Sequence, residues 1–140
     1  MRPVAILGIG QTKIDEHWDK SLKELAGEAA FAALNDAGIE RADMLYVGNM
    51  LSPIISHQNQ LGTHLADWIG MWGAEATKIE AACGSGAAAF RAGLMAVASG
   101  EMESALVVGV EKMTDMAGHD VTSALATAAD ADYEGEQGVS

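Results

Sequence analysis

The chain has 140 residues, 49% hydrophobic and 20% charged, a composition within the range of globular proteins. Acidic residues outnumber basic ones by 20 to 8, and the resulting net charge of −12 argues against nonspecific nucleic-acid binding and against docking on an anionic membrane. A single cysteine excludes a disulfide within the chain and fits a reducing compartment.

Val4-Ala5-Ile6-Leu7-Gly8-Ile9-Gly10 is apolar without alternation, which predicts a short buried strand. It is too short to span a membrane and lacks a signal-peptide cleavage pattern, so a cytoplasmic protein is expected. Gly8-Ile9-Gly10 begins like a dinucleotide fingerprint. Lys13 stands where the third glycine belongs, and Ile14 to Asp19 delay the helix that a pyrophosphate needs. A tight glycine turn after the strand is the better reading.

Ser21-Leu22-Lys23-Glu24 is a capping box. Leu22, Leu25, Ala26, Ala29, Ala33, Leu34 and Ala37 follow at helical spacing, and Gly38 closes the helix. Met44 to Gly48 predicts a second strand. A second helix is expected from about Gln58 to Ile69, with Leu61, Leu65, Trp68 and Ile69 on its inner face. Trp68 and Trp72, four apart, suggest core or subunit-contact packing. Ala76 to Ala82 reads as a weaker third strand. A third helix is expected from near Cys83 to Ser99, closed by Gly100, and Ala105 to Val110 gives a fourth strand.

The order βαβαβαβ implies right-handed crossovers and a layered α/β domain with a mostly parallel sheet. From Met113 to Ser140 the chain carries six acids (Asp115, Asp120, Asp130, Asp132, Glu134, Glu136) and no lysine or arginine. That stretch is either a disordered acidic tail or the start of a loop region whose fold continues past residue 140. The second reading is the expectation, because the fourth strand would otherwise be left as an open edge. Residues 1–112 are accordingly expected to form a partial domain, and residues 113–140 the acidic start of the loop region.

The most informative segment runs from Ile79 to Gly93, Ile-Glu-Ala-Ala-Cys-Gly-Ser-Gly-Ala-Ala-Ala-Phe-Arg-Ala-Gly. It places Cys83 at a strand-to-helix junction. A helix N-terminus presents unpaired N–H groups and a partial positive charge, which favour the thiolate form in which a cysteine is nucleophilic. Gly84, Ser85 and Gly86 bring no bulk, so an acyl group could approach the sulfur. The alternative for a lone cysteine is a small buried filler, and the residues alone leave the two readings even. The four histidines, His17, His57, His64 and His119, form no zinc-ligand spacing and read as ordinary surface or capping residues.

The segment around Cys83 resembles the nucleophile segment of thiolases, particularly the sterol-carrier-protein-type and archaeal acetyl-CoA acetyltransferase branch. Val4 to Thr12, Ala33 to Ile39 and Val107 to Met113 resemble the same family, in order along nearly the whole chain. The resemblance implies the N-terminal half of a thiolase fold, still incomplete, with Cys83 taking an acyl group from acyl-CoA as a thioester. A second acyl-CoA then attacks as a carbanion, and degradation is the reverse. Coenzyme A is then a substrate carrier, with no metal or redox cofactor implied. The family also uses the backbone N–H of this cysteine position in its oxyanion hole.

Members of the family are longer, with a second half that supplies an activating histidine and further acid/base groups. This sequence has no Gly-His-Pro motif and no second cysteine. The fifth strand of the first half and most of the CoA-binding loops are expected beyond residue 140. The resemblance therefore implies a chain inactive by itself, partnered by the missing C-terminal half in cis or in trans. It further implies a homo-oligomer paired through Ala76 to Ala82, and in some relatives a zinc-ribbon/OB-fold partner. Other condensing enzymes of the fold, ketoacyl synthase or hydroxymethylglutaryl-CoA synthase, and a non-catalytic scaffold subunit are the alternatives. A half-built fold is also expected to expose apolar surface and to self-associate.

Overall fold

A computed structural model describes residues 1–138. Three parallel strands form its sheet: β1 (Met44–Gly48), β2 (Glu75–Ile79) and β3 (Ala105–Gly109), in the spatial order β2-β1-β3. Each crossover carries a helix: α2 (Leu61–Trp68) joins β1 to β2, and α3 (Ser85–Ser99) joins β2 to β3. The longer α1 (Leu22–Ala37) precedes β1, and α4 (Gly118–Ala126) follows β3. This is the expected layered α/β class.

α1 starts where its capping box says it should. Ser21 Oγ accepts from the Glu24 N–H, and a Glu24 carboxylate oxygen accepts from the Ser21 N–H at 2.8 Å. The Ser21 backbone N–H first, and then the Ser21 hydroxyl, which also donates to this carboxylate, hold the Glu24 carboxyl below its usual range. Gly38 ends the helix in the left-handed conformation, donating to the carbonyls of Asn35 and Leu34. Leu22, Ala26, Ala30 and Leu34 then lie on one stripe and bury against Leu45 and Val47 of β1 and Leu106 and Val108 of β3. α2 adds Leu61, Leu65 and Ala66 to the same core. Alternate residues of the strands point the other way, where Tyr46 and Val107 meet α3 at Gly93. Helices thus cover both faces, which explains the runs without polar alternation. Burial beneath α3 pushes the Tyr46 hydroxyl up in pKa.

The structure corrects several sequence expectations. Val4 to Gly10 is extended but belongs to no sheet, so the sheet has three strands where four were expected. The segment is instead held by helices. A Cβ at Gly8 or Gly10 would stand 2.5 Å from the backbone nitrogen of Ala37 or Ala33, so the chain lies directly on α1. Asp36 accepts from the Ile9 N–H at 2.9 Å. At the other end, the Arg2 N–H donates to Ala98 at the end of α3, and its guanidinium pairs with Glu103 at 2.9 Å. An apolar run records burial and extension; it does not record whether a neighbouring strand is present.

β2 is shifted, Glu75–Ile79 rather than Ala76 to Ala82, because the backbone leaves the ladder at Glu80 to make a turn. α2 begins at Leu61 rather than Gln58, since His57 and Gln60 both adopt positive φ (50° and 51°). α3 begins at Ser85, two residues beyond Cys83. β3 ends at Gly109, one residue before Val110. The two tryptophans do not share a helix face. α2 ends at Trp68, and Gly70 reverses the chain at φ 76° before Trp72. Trp68 is half-exposed, its ring lying against Gly27 of α1 with Lys23 4.7 Å above it, and Trp72 is largely exposed and donates to Asp67. The acidic stretch after Met113 carries α4, whose Ala124 packs on Leu51 and Ile55, and a short 3-10 turn at Gly135–Gln137. Its last two residues, 139 and 140, lie outside the described residues.

Candidate active site around Cys83

The carboxyl ends of the parallel strands lie at Gly48, Ile79 and Gly109, so the connections that leave them gather on one edge of the sheet. Open α/β sheets place their ligands there. Cys83 lies in the connection from β2 to α3 and is exposed. The buried-filler reading is thereby set aside.

The turn that presents Cys83 is built from its neighbours. Ala82, the preceding residue, holds φ at 47°, a conformation that costs a non-glycine residue on the order of 1–3 kcal/mol. Four hydrogen bonds hold it there. Ser85 Oγ accepts from the Ala81 N–H at 2.9 Å and donates to the Ala82 carbonyl at 2.7 Å. The Gly84 N–H donates to the Ala81 carbonyl at 2.8 Å. A Glu80 carboxylate oxygen accepts from the Ala82 N–H. Ser85 is buried, so its hydroxyl is committed to this turn.

α3 then starts immediately over the middle of the sheet. A Cβ on Gly48 would lie 2.5 Å from the Ser85 carbonyl oxygen and 2.7 Å from Gly86 Cα. Only glycine at the end of β1 lets the helix start come this close. The Ala88 N–H is satisfied by the Gly84 carbonyl, whereas the N–H groups of Gly86 and Ala87 have no acceptor among the described residues. A helix end with free donors carries partial positive charge and favours an anion, be it a thiolate or the oxyanion of a thioester under attack.

Beside the turn, a cleft of about 410 Å³ is lined by Met50, Pro53, Lys78, Glu80, Ala81, Ala82, Thr127 and Ala128. Its walls come from the connections after β1 and β2 and from the end of α4. Lys78 is the one basic side chain among these lining residues.

The connections after β1 and β3 are tied together below the cleft. Asn49, buried, donates to the Val110 carbonyl and accepts from the Ser52 N–H, each at 2.9 Å. A Glu111 carboxylate oxygen accepts from the N–H groups of Met50 and Leu51. The buried Lys112 ammonium pairs with Asp115. Sequence reasoning assigned no role to Glu80, Asn49, Glu111 or Lys112, and gave Ser85 only that of a small residue. The available signal was their position, since each sits within a few residues of the carboxyl end of a strand.

No histidine lines the cleft. His17 bonds the Lys13 carbonyl, His119 pairs with Asp120, and His57 and His64 are exposed. Among the described residues no group of three His, Cys, Asp or Glu side chains could hold a metal, and no helix is long and apolar enough to cross a membrane.

Residues 4–137 match the family described as thiolase, N-terminal domain. An acetyl-CoA acetyltransferase of Methanothermobacter thermautotrophicus is 45% identical over 141 residues, covering 99% of this chain and 36% of that protein. One of Methanocaldococcus jannaschii is 43% identical, covering 96% of this chain and 34% of that protein. Among solved structures, 3-oxoacyl-[acyl-carrier-protein] synthase III of Aquifex aeolicus superposes with a TM-score of 0.63 at 22% identity, over 69% of this chain and 32% of that one. That likeness concerns the fold. The chain spans about a third of the length of these relatives.

Proposed function

The chain belongs to the thiolase family, and on that premise we propose that Cys83 is the nucleophile of an acyl-CoA acyltransferase. The thiolate sulfur attacks the thioester carbonyl carbon of an acyl-CoA, a new carbon–sulfur bond forms, and coenzyme A leaves as a thiolate that takes up a proton. The acyl group now rests on Cys83 as a thioester. A second acyl-CoA, deprotonated at the carbon next to its carbonyl, attacks through that carbon the carbonyl carbon of the Cys83 thioester; a carbon–carbon bond forms and the bond to Cys83 breaks, releasing its sulfur as a thiolate. Run backwards, the same steps cleave a 3-oxoacyl-CoA. Covalent catalysis of this kind divides one difficult step into two easier ones.

The observation that carries the reading is the placement of Cys83. Its exposed thiol stands on a strained turn at the carboxyl edge of the sheet, just before a helix start with two free N–H donors. Coenzyme A enters as the carrier of the acyl group. The acid and base that move protons come, in this reading, from polypeptide outside these 140 residues, in cis or in trans, since no histidine borders the cleft. An exposed nucleophilic thiol suits a compartment where thiols stay reduced, and in this reading that compartment is the cytoplasm. β2 is an edge strand, and pairing of two copies through it gives a homodimer around a two-fold axis.

Cys83 is the sole thiol, so alkylation reports on it without ambiguity. Iodoacetamide should modify the folded chain at neutral pH at least about 10-fold faster than it modifies free cysteine, as an exposed thiol that serves as a nucleophile does. A rate equal to or below that of free cysteine counts against the assignment.

A further inference from the structure

The Cys83 thiol has no bond of its own to fix its direction. Among the described residues the hydrogen bonds of this segment run between Glu80, Ala81, Ala82, Gly84 and Ser85 and on into α3, and none involves the sulfur. Where the sulfur points is therefore set by the backbone before it. That backbone includes Ala82 at φ 47°, a conformation an alanine leaves unless its surroundings hold it.

The polar backbone groups of Ala81 and Ala82 are all engaged, and their partners are not equivalent. The Ala82 N–H donates to the Glu80 carboxylate, which is exposed, so water can take its place. The Gly84 N–H meets the Ala81 carbonyl only once the turn has formed. The remaining two groups, the Ala81 N–H and the Ala82 carbonyl, share one partner, the Ser85 hydroxyl. Ser85 is 5% exposed, and its own backbone is anchored elsewhere, with its carbonyl oxygen packed on Gly48 of the central strand. A serine at a helix start ordinarily caps it by accepting from an N–H two or three residues on. Ser85 Oγ does not: both of its bonds run backward into the turn, and the N-cap position belongs to Gly84. Its hydroxyl thus ties the turn to the middle of the sheet.

We infer that Ser85 is a positioning residue for Cys83: its hydroxyl keeps Ala82 at positive φ and thereby keeps the sulfur aimed at the acyl thioester. This rests on the reading of Cys83 as the nucleophile. Ser85 acts through the turn, so its loss costs rate rather than substrate affinity.

Kinetics test this in a protein that joins the chain to the remainder of its Methanothermobacter thermautotrophicus relative. Ser85→Ala should lower kcat for acetyl transfer by at least about 30-fold and change KM for acetyl-CoA by less than about 3-fold, because a misdirected nucleophile loses rate while binding persists. Ser85→Thr retains the hydroxyl and should keep kcat within about 5-fold of the parent. Glycine adopts positive φ without strain, so Ser85→Ala made in an Ala82→Gly background should cost at most about 5-fold relative to Ala82→Gly alone. That comparison holds even if Ser85→Ala by itself does not fold, because glycine removes the strain that the hydroxyl opposes. A kcat for Ser85→Ala within about 3-fold of the parent overturns the inference. So does an equal loss in the two backgrounds, since Ser85 then does not act through Ala82. Cys83→Ala in the same protein separates this inference from the reading beneath it. If Cys83→Ala keeps its activity, the nucleophile assignment fails and the positioning role falls with it. An inactive Cys83→Ala beside a fully active Ser85→Ala leaves the assignment standing and removes the positioning role alone.

Discussion

Replacing Cys83 with alanine should lower acetyl transfer by at least about 1,000-fold in a protein that unites this chain with the remainder of its Methanothermobacter thermautotrophicus relative. The remainder is needed because the 140 residues correspond to only 36% of that protein. The loss is expected in turnover and not in folding. Cys83 is exposed, so its replacement leaves no cavity, and the unfolding free energy should change by no more than about 0.5 kcal/mol. Activity of the alanine variant within about 10-fold of the parent, at equal stability, would show that the sulfur forms no obligatory bond.

Gly48→Ala should be the most damaging single-methyl change near the site. The added carbon would stand 2.5 Å from the Ser85 carbonyl oxygen and 2.7 Å from the Gly86 backbone nitrogen. Neither atom can rotate away, because both belong to the backbone of the first turn of α3. Either the helix start lifts off the sheet or β1 bends, at a cost of about 1–3 kcal/mol. The displacement also moves the turn at Ala81 to Ser85, so iodoacetamide should react with Cys83 at an altered rate. Gly86→Ala is the control: a Cβ there meets nothing within 4 Å. Urea denaturation should separate the two, with Gly86→Ala within about 0.5 kcal/mol of the parent. Equal destabilisation by both changes would mean that close packing of α3 on β1 does not govern the site.

What could be read in the sequence follows from how local each signal is. The α1 capping box needs only Ser21 and Glu24, three residues apart, and the glycine that ends the helix is the next signal along the chain. Both are found where the sequence places them. The core stripe Leu22, Ala26, Ala30 and Leu34 was marked in part, with Ala33 rightly included at its margin but Ala30 missed and Ala29 taken in its place, because alanines on neighbouring faces carry the same weak signal. β1 and β3 were visible as apolar runs because helices cover both of their faces. Val4 to Gly10 carries the same pattern for the same reason, but pairing depends on a neighbour far away in sequence, and no run of apolar residues can report that.

The site divides along the same line. Cys83 stood out by its glycine-rich surroundings and by the family resemblance. The turn that holds it did not, because it rests on a positive φ at an alanine, where sequence favours glycine. Ser85 looked like a small residue clearing space for a substrate; its hydroxyl in fact bonds the Ala81 N–H and the Ala82 carbonyl. Glu111 reaches Met50 and Leu51, some 60 residues away in sequence, and Asn49 reaches Val110 across a similar separation. Side-chain bonds to distant backbone leave no periodic trace, so these residues emerge only from coordinates.

The charge of these 140 residues bears on the proposed substrate as well. A net charge of −12 disfavours an anionic carrier such as coenzyme A at long range, so in the proposed reading its binding depends on local groups. Lys78 in the cleft and the free donors at the start of α3 are such groups on this chain. They lie on the same edge of the sheet as Cys83, where an acyl thioester would have to be held for attack.

The most direct test of the account is to find the acyl group. The fusion of this chain with the remainder of its Methanothermobacter thermautotrophicus relative is incubated with acetyl-CoA, quenched in acid and digested, and its peptides are weighed. The account predicts an acetyl thioester on the peptide containing Cys83, discharged when free coenzyme A is added back. An acetyl group on another residue of a fusion that transfers acetyl groups, with Cys83 unmodified, would contradict it.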